Sequence, residues 1–254
     1  MMEKVKIVMP IYSTAWTDVE WQSLQQTVKV LCRYPIVFLV PENMDVTAID
    51  HAFSGHAILR VSEEWLGTKN GIAGYNRMMM SKAFYDLFAG TEYILICQTD
   101  AWIFRDELEL WCDKGYDYIG APFPKRPLYD LLPVRWYLAL RRKMTKGLLR
   151  HNLMGRVYNG GLSLRRVASF RHACSTYESA MHSFLENDHH LYNEDVFWSL
   201  IPAEFAYPSV SEALAFSFDI KPDYCYQLTK GALPFGCHGW FKPSVYAFWE
   251  PIIK

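Results

Sequence analysis

The sequence of 254 residues lacks several features that would assign it quickly to a functional class. Its formal net charge is only −1, which gives no general reason to expect a nucleic-acid partner. It has no apolar run of 18 residues, so no segment is expected to cross a membrane. The N-terminal residues lead directly into a predicted strand and do not resemble a signal peptide, which favours a cytoplasmic location.

The six cysteines give no indication of a metal site. None of them forms a CxxC pair, so a zinc knuckle is not expected. Their scattered positions are more typical of free thiols in a cytosolic protein than of a disulfide framework. Cys97, inside an apolar segment, is interpreted as a small buried hydrophobic residue.

The chain is rich in apolar side chains that follow two alternating patterns. Hydrophobic residues make up 51% of it and aromatic residues 16%, enough for a sizeable core. Predicted strands cover residues 5–10, 36–41, 57–61, 93–98 and 116–120, and predicted helices cover residues 18–31 and 74–88. Continuously apolar strands that alternate with helices indicate an α/β fold with a mainly parallel sheet flanked by helices on both faces.

A basic segment follows the last of these strands. Residues 124–156 contain nine Lys or Arg and one acid, a formal charge of +8 that leaves −9 for the rest of the chain. Leucine and aromatic residues are interleaved with the charges, which indicates an amphipathic helical insertion rather than a flexible linker. Three interpretations stay open: a helix that packs its apolar face on the domain, a peripheral contact with an anionic membrane, or a site for an acidic partner. The second would place the protein at the inner face of a membrane.

The predicted strand at 93–98 ends in the motif Gln98-Thr99-Asp100. In α/β proteins, ligands bind at the carboxyl ends of the strands. Asp100 is therefore expected at the rim of a crevice, where a cation or a phosphate would lie. The alternative is that Asp100 only caps the turn that follows the strand.

Three later motifs also carry side chains suited to chemistry. Asn159-Gly160-Gly161 combines an amide with two residues that permit close backbone approach or a positive φ. Glu194-Asp195 precedes an apolar run, so the two acids either begin a helix or supply a general base. His238 lies among small residues and is either a packed side chain or a ligand. Arg165 is interpreted as a surface or structural cation.

The order of these motifs, QTD, YDYIGAPF, NGGLSLRR, NEDVFW and GCHGW, resembles that of glycosyltransferases with the GT-A fold over roughly residues 60–240. The resemblance implies a GT-A-like, Rossmann-like domain with a basic helical insertion. It also implies a divalent cation, Mn²⁺ or Mg²⁺, held by Asp100 and His238 beside the diphosphate of a nucleotide sugar. Gln98 stands where this group carries the first acid of an Asp-x-Asp pair, and an amide oxygen binds a cation more weakly than a carboxylate does.

The resemblance implies roles for further residues. Asp195 is expected to be the base that deprotonates the acceptor hydroxyl, with Glu194 as its close competitor. The nucleotide sugar is expected to contact residues that follow the first strand, begin the helix near residue 74 or belong to the central motifs: Pro10, Tyr12, Asn76, Arg77, Gln98, Thr99, Asp100, Asn159, Gly160 and Gly161.

Residues 1–254 are interpreted as one glycosyltransferase domain, with a nucleotide-binding half (1–120), the basic insertion (121–156) and an acceptor-binding half (157–254). The implied reaction moves a sugar from a nucleotide-sugar donor to a hydroxyl of a glycan or lipid-linked glycan, with inversion. The alternatives are a sugar nucleotidyltransferase and a non-catalytic glycan-binding or scaffold module.

Overall fold

The structure is a computed structural model that describes residues 2–145 and 148–253. The strands are β1 (Glu3–Pro10), β2 (Ile36–Pro41), β3 (Ala57–Val61), β4 (Thr91–Cys97), β5 (Ala101–Ile103), β6 (Tyr118–Ile119), β7 (Leu162–Arg166), β8 (Ser217–Phe218) and β9 (Gly236–His238). The helices are α1 (Asp18–Val30), α2 (Thr47–Ala52), α3 (Gly71–Met79), α4 (Lys82–Asp86), α5 (Leu108–Asp113), α6 (Leu132–Met144), α7 (Val167–Thr176), α8 (Glu178–Leu185), α9 (Glu194–Leu200), α10 (Val210–Phe216), α11 (Pro222–Leu228) and α12 (Tyr246–Trp249). Short 3₁₀ turns cover Pro127–Asp130, Arg150–Leu153 and His190–Tyr192.

Two sheets organise the fold. The larger has the strand order β3-β2-β1-β4-β7-β6, and β7 runs in the direction opposite to the other five strands. The smaller has the order β5-β9-β8. The predicted mixed α/β class with a mainly parallel sheet is confirmed.

The central strands place alternate side chains on opposite faces of the sheet. Val8 and Ile96 join a buried cluster with α3, α4, α7 and α9, whereas Ile7 and Leu95 join a second cluster with α1, α2 and α5. This alternation is the two-residue period of a strand. Helices therefore cover the apolar side chains on both faces of the sheet. The ends of the strands are not covered in this way, so a ligand site is expected there.

One predicted helix is wrong in its length. The segment 74–88 forms two helices, α3 and α4, that are separated at Met80 and Ser81. Ser81 has extended backbone angles, and its hydroxyl accepts a hydrogen bond from the Phe84 amide at 3.1 Å. A serine in this position begins a new helix because it satisfies an amide that has no partner within the helix.

The basic segment does contain a helix, α6, but α6 does not bury its apolar side. None of its residues is buried, and Leu132, Trp136 and Leu140 are each more than half exposed. The interpretation that the apolar face packs on the domain is therefore wrong for these three side chains, whereas Val134 and Leu138 are half-buried and Leu148 packs against the core. Within the described residues, no helix is both long enough and apolar enough to span a bilayer.

Candidate active site

A cavity of about 480 Å³ opens at the edge of the large sheet where β1 and β4 end. Since β7 is antiparallel to β4, the turn before β7 lies at the same edge, and the Gln98 amide donates to the Gly161 carbonyl at 2.9 Å. Most of the predicted site residues line this cavity: Tyr12, Asn76, Gln98, Asp100, Asn159, Gly160, Gly161, Glu194, Asp195 and His238. Residues far apart in sequence thus share one space.

Three predicted donor-binding residues do not line the cavity. Pro10 is buried at the end of β1, and Thr99 lies between two cavity residues without facing it. Arg77 is exposed and lines a separate groove with Ser81 and Cys174. A phosphate in the main cavity would therefore need cations other than Arg77.

His238 is the centre of an ionic cluster. Pairing of β5 with β9 sets Ala101 opposite His238, so the imidazole lies beside the end of the QTD motif. Its Nε2 is 3.0 Å from Asp100 Oδ1 and 3.1 Å from Gln98 Oε1, and its Nδ1 is 3.3 Å from Asp219 Oδ1. Burial disfavours the charged imidazole, but the two carboxylates outweigh it and raise the pKa of His238 to about 9.

Asp100 shows the reciprocal effect. Burial alone would raise its pKa, but the charge and hydrogen bond of His238 lower it to about 2. The Lys242 ammonium adds to this, since its Nζ lies 3.7 Å from Asp100 Oδ2. At neutral pH the cluster therefore contains ionised acids held against two cationic side chains.

The Asn159-Gly160-Gly161 turn is shaped by close contacts. The Asn159 side-chain oxygen accepts hydrogen bonds from the amides of Gly161 at 3.0 Å and Leu162 at 3.2 Å, and its Nδ2 lies 3.0 Å from His238 Nδ1. A Cβ atom at Gly161 would overlap the His238 ring. The turn thus needs glycine for close approach rather than for a positive φ, and the Asn159 amide is already engaged in holding it.

The two adjacent acids have different surroundings. Glu194 is buried and forms a two-pronged ion pair with Arg165, each oxygen 3.0 Å from a guanidinium nitrogen. Arg165 is itself fully buried and also donates to the Tyr85 hydroxyl at 2.9 Å. A Cβ at Gly160 would overlap the Glu194 carboxylate, so this glycine makes room for the pair. Arg165 is therefore a structural cation, and it occupies both oxygens of Glu194.

Asn76 fixes the start of α9, which carries these acids. Its side-chain oxygen accepts from the Glu194 amide at 3.1 Å, and its nitrogen donates to the Asn193 side chain at 3.1 Å. Both ends of the Asn76 amide are engaged. Asn76 therefore anchors the start of α9, and its predicted contact with the donor stays a prediction.

Asp195 is the carboxylate that remains free to react. It is partly exposed to the cavity, and among the described residues it accepts one hydrogen bond, from the adjacent Val196 amide at 2.8 Å. Burial, reinforced by the negative charge of Glu194, raises its pKa to about 8. A carboxylate with a raised pKa in a cleft is suited to accept a proton near neutral pH.

Seven cavity residues were given no role by the sequence analysis, and Lys242, Asp219 and Tyr75 are among them. Lys242 lies four residues after His238, and the turn between them depends on Gly239, whose φ is +63°. Asp219 follows β8 and contacts the same imidazole. Tyr75 is buried, stands 6.2 Å from the Tyr12 ring, and has a hydroxyl without a hydrogen-bond partner among the described residues. Of these residues, Lys242 is the one that the sequence could have indicated, because the segment HGWFK places it four residues after His238.

The residues around Asp100 can be compared with the needs of a divalent cation. In residues 2–145 and 148–253, no three His, Cys, Asp or Glu side chains are grouped to hold a metal ion. Asp100, His238 and the Gln98 amide oxygen nevertheless form a mixed donor set that Mn²⁺ accepts. His238 would have to release its proton on binding. The donor chemistry therefore fits a cation that is weakly held.

Comparisons with solved structures identify the fold. The chain matches mouse xyloside xylosyltransferase 1 in its apo form with a TM-score of 0.53 and 12% identity, covering 93% of this chain and 97% of that one. It matches the galactosyltransferase LgtC in complex with donor and acceptor sugar analogs with a TM-score of 0.58 and 12% identity, covering 98% and 93%. An active-site mutant of LgtC matches with a TM-score of 0.57 and 14% identity over the same shares. The fold is therefore that of the GT-A glycosyltransferases.

Sequence comparison adds a family. No curated protein matches the chain significantly. The family described as "Protein of unknown function (DUF5672)" matches residues 56–238, well over half of the chain. The matched segment begins just before β3 and ends at His238, so it includes the QTD motif, the glycine turn and the acid pair. The chain belongs to the DUF5672 family.

Proposed function

We propose that the protein is a glycosyltransferase that moves a sugar from a nucleotide-sugar donor to an acceptor hydroxyl. One observation carries this proposal: a single cavity at the strand ends holds an ionic cluster around Asp100 and, separately, the free carboxylate of Asp195. Transfer from a nucleotide sugar needs both a group that neutralises the departing diphosphate and a base for the acceptor. The shared fold with LgtC, solved with donor and acceptor sugar analogs, supports the same interpretation.

The donor diphosphate is assigned to the side of the cavity near His238. The imidazolium and the Lys242 ammonium lie there, but the carboxylates of Asp100 and Asp219 offset both charges. The cluster alone is thus close to neutral and would attract a diphosphate weakly. A divalent cation, Mn²⁺ or Mg²⁺, held by Asp100, His238 and Gln98 would stabilise the charge that develops on the leaving group.

The nucleoside is assigned to the end of β1. Tyr12 is partly exposed at the cavity and offers a ring face for the base. Tyr75 behind it has a buried hydroxyl that is free to donate a hydrogen bond to the ligand. A buried polar group without a partner is costly, so it is typical of a site that a ligand completes.

Asp195 is assigned as the base. The acceptor oxygen forms a bond to the anomeric carbon, the bond from that carbon to the diphosphate oxygen breaks, and the acceptor proton passes to Asp195. Glu194 is the weaker candidate because Arg165 occupies both of its oxygens. A base that acts on the acceptor from the face opposite the leaving group gives inversion at the anomeric carbon.

A panel of nucleotide sugars, incubated with the protein and Mn²⁺, tests the proposal by release of the nucleoside diphosphate. We expect at least one donor to be hydrolysed, and the product anomer in NMR to be inverted. Asp195→Asn should lower turnover at least ~100-fold while nucleotide affinity in calorimetry stays within a few-fold. A nucleotidyltransferase would instead release pyrophosphate from a nucleoside triphosphate and a sugar phosphate. A scaffold would bind no nucleotide, and either outcome would overturn the proposal.

A further inference from the structure

The surface of α6 is a feature of the molecule that the proposed function does not use. Leu132, Trp136, Leu140 and Met144 are spaced four residues apart, so they lie along one side of the helix. Trp136 is 73% exposed and Met144 is 74% exposed. Lys143, seven residues after Trp136, lies on the same side, so the stripe is apolar with one cation near its end. Exposed apolar side chains grouped in this way on a surface helix are a mark of an interaction site.

The opposite side of α6 is basic. Arg135 and Arg142 line a cavity of about 280 Å³ between the helix and the turn that follows it, together with His151 and an ion pair of Lys125 with Asp130. His151 is buried, and its Nε2 has no hydrogen-bond partner among the described residues. Burial and nearby arginines lower the pKa of His151. The two arginines and an unpartnered imidazole nitrogen suit a phosphate group.

From this arrangement we propose that α6 docks on an anionic lipid bilayer, with its apolar stripe among the acyl chains and lipid phosphates at its basic side. A helix is about 10 Å across, and an interfacial helix sinks its apolar face by about 5–10 Å. The basic cavity then lies at the level of the headgroups. Tyrosine is favoured at that level, and Tyr137 lies next to the stripe.

A second copy of the chain fits this surface less well. Two α6 helices face to face would bring together two segments that each carry a formal charge of +8. The other large apolar side chains exposed in the described residues are scattered over separate elements, for example Ile72, Leu110 and Leu228. An acidic protein would match the charges but leave the stripe uncovered.

Docking would also bring the candidate active site close to the bilayer. Arg150, at the end of the basic segment, lines a cleft with Asp219 and Lys242, and those two residues also line the main cavity. If the proposed function holds, the acceptor is then expected to be a membrane-bound glycan such as a lipid-linked one. The docking itself does not depend on the activity.

Co-sedimentation with vesicles tests the docking directly. We expect the full chain to bind vesicles that contain phosphatidylglycerol, to bind phosphatidylcholine vesicles weakly, and to dissociate as salt rises. Trp136→Ser combined with Leu140→Ser should lower the partition coefficient at least ~10-fold. Arg135→Gln combined with Arg142→Gln should lower it about 5-fold per charge.

Matched control variants separate docking through α6 from nonspecific adsorption to vesicles. Leu110→Ser removes an equally exposed leucine from α5, and Lys29→Gln removes a charge from α1. Both should bind vesicles like the unaltered chain. The proposal would be overturned if the control variants lost as much vesicle binding as the α6 variants, or if the unaltered chain did not bind anionic vesicles. A dimer in light scattering that Trp136→Ser and Leu140→Ser dissociate, without vesicle binding, would assign the surface to a second copy instead. A negative result with vesicles would leave the proposed glycosyltransferase activity standing, because the donor-hydrolysis assay tests that activity without membranes.

Discussion

Replacing Asp195 by asparagine should lower turnover at least ~100-fold and stabilise the fold at alkaline pH. The substitution keeps the size of the side chain but removes a negative charge from a site that disfavours it. The ordinary pKa of this carboxyl is 3.8, and in the folded protein it is about 8. Each unit of difference corresponds to about 1.4 kcal/mol, so roughly 6 kcal/mol is the limit if none of the cost is relieved. Because Asp195 is partly exposed to cavity water, we expect about 2 kcal/mol.

The effect of the substitution on stability depends on pH. A folded pKa above the unfolded one means that the fold binds the proton more tightly, so stability is highest at low pH and falls as pH rises from about 4 toward 8. At pH 3, below both pKa values, the carboxyl is neutral in the folded and the unfolded chain, as asparagine is, and the two proteins should unfold alike. At pH 9 the variant should be more stable, with a Tm roughly 4–8 °C higher.

Thermal unfolding at both pH values, together with donor hydrolysis, checks these expectations. The activity of the unaltered protein should rise about 10-fold per pH unit below the pKa of Asp195 and level off above it. Asp188→Asn serves as a matched control, since Asp188 is exposed on the surface. The reasoning is refuted if the variant differs in Tm from the unaltered protein by the same amount at pH 3 and pH 9, or if it retains full turnover.

Other substitutions test the parts of the site that hold the reacting groups. Gly161→Ala should push the His238 ring aside and weaken nucleotide binding at least ~10-fold. Gly90→Ala is the control, because a new Cβ there meets open space, and it should leave the affinity unchanged. Equal affinities of the two variants in calorimetry would contradict the steric argument. Arg165→Met should cost about 3–5 kcal/mol in urea unfolding because it leaves a buried carboxylate unpaired, and removing both members of the pair should recover most of that loss. Lys242→Ala should weaken nucleotide binding about 10-fold without lowering the Tm, and unchanged affinity would remove this residue from the donor site.

The sequence predicted the location of the site better than the task of each residue in it. Asp100 follows the apolar strand β4, and Asn159 precedes the apolar strand β7. The end of one strand and the start of an antiparallel neighbour lie at the same edge of a sheet, so it was predictable that the two residues would lie close together. The use of Asn76 to anchor α9 was not, because its partners are more than 100 residues away in sequence. The break at Ser81 was also missed, since the apolar spacing of a helix continues through it and only the serine cap reveals a new start.

The contrast between Glu194 and Asp195 shows why roles require the folded chain. Both acids lie in the first turn of α9, where the helix dipole favours either one, so position in the sequence cannot separate them. The separation comes from β7, which delivers the Arg165 guanidinium to Glu194 alone. The ionised Glu194 then disfavours a second charge beside it and helps to keep the proton on Asp195. One ion pair thus fixes the charge of one carboxylate and, through it, prepares its neighbour to exchange a proton.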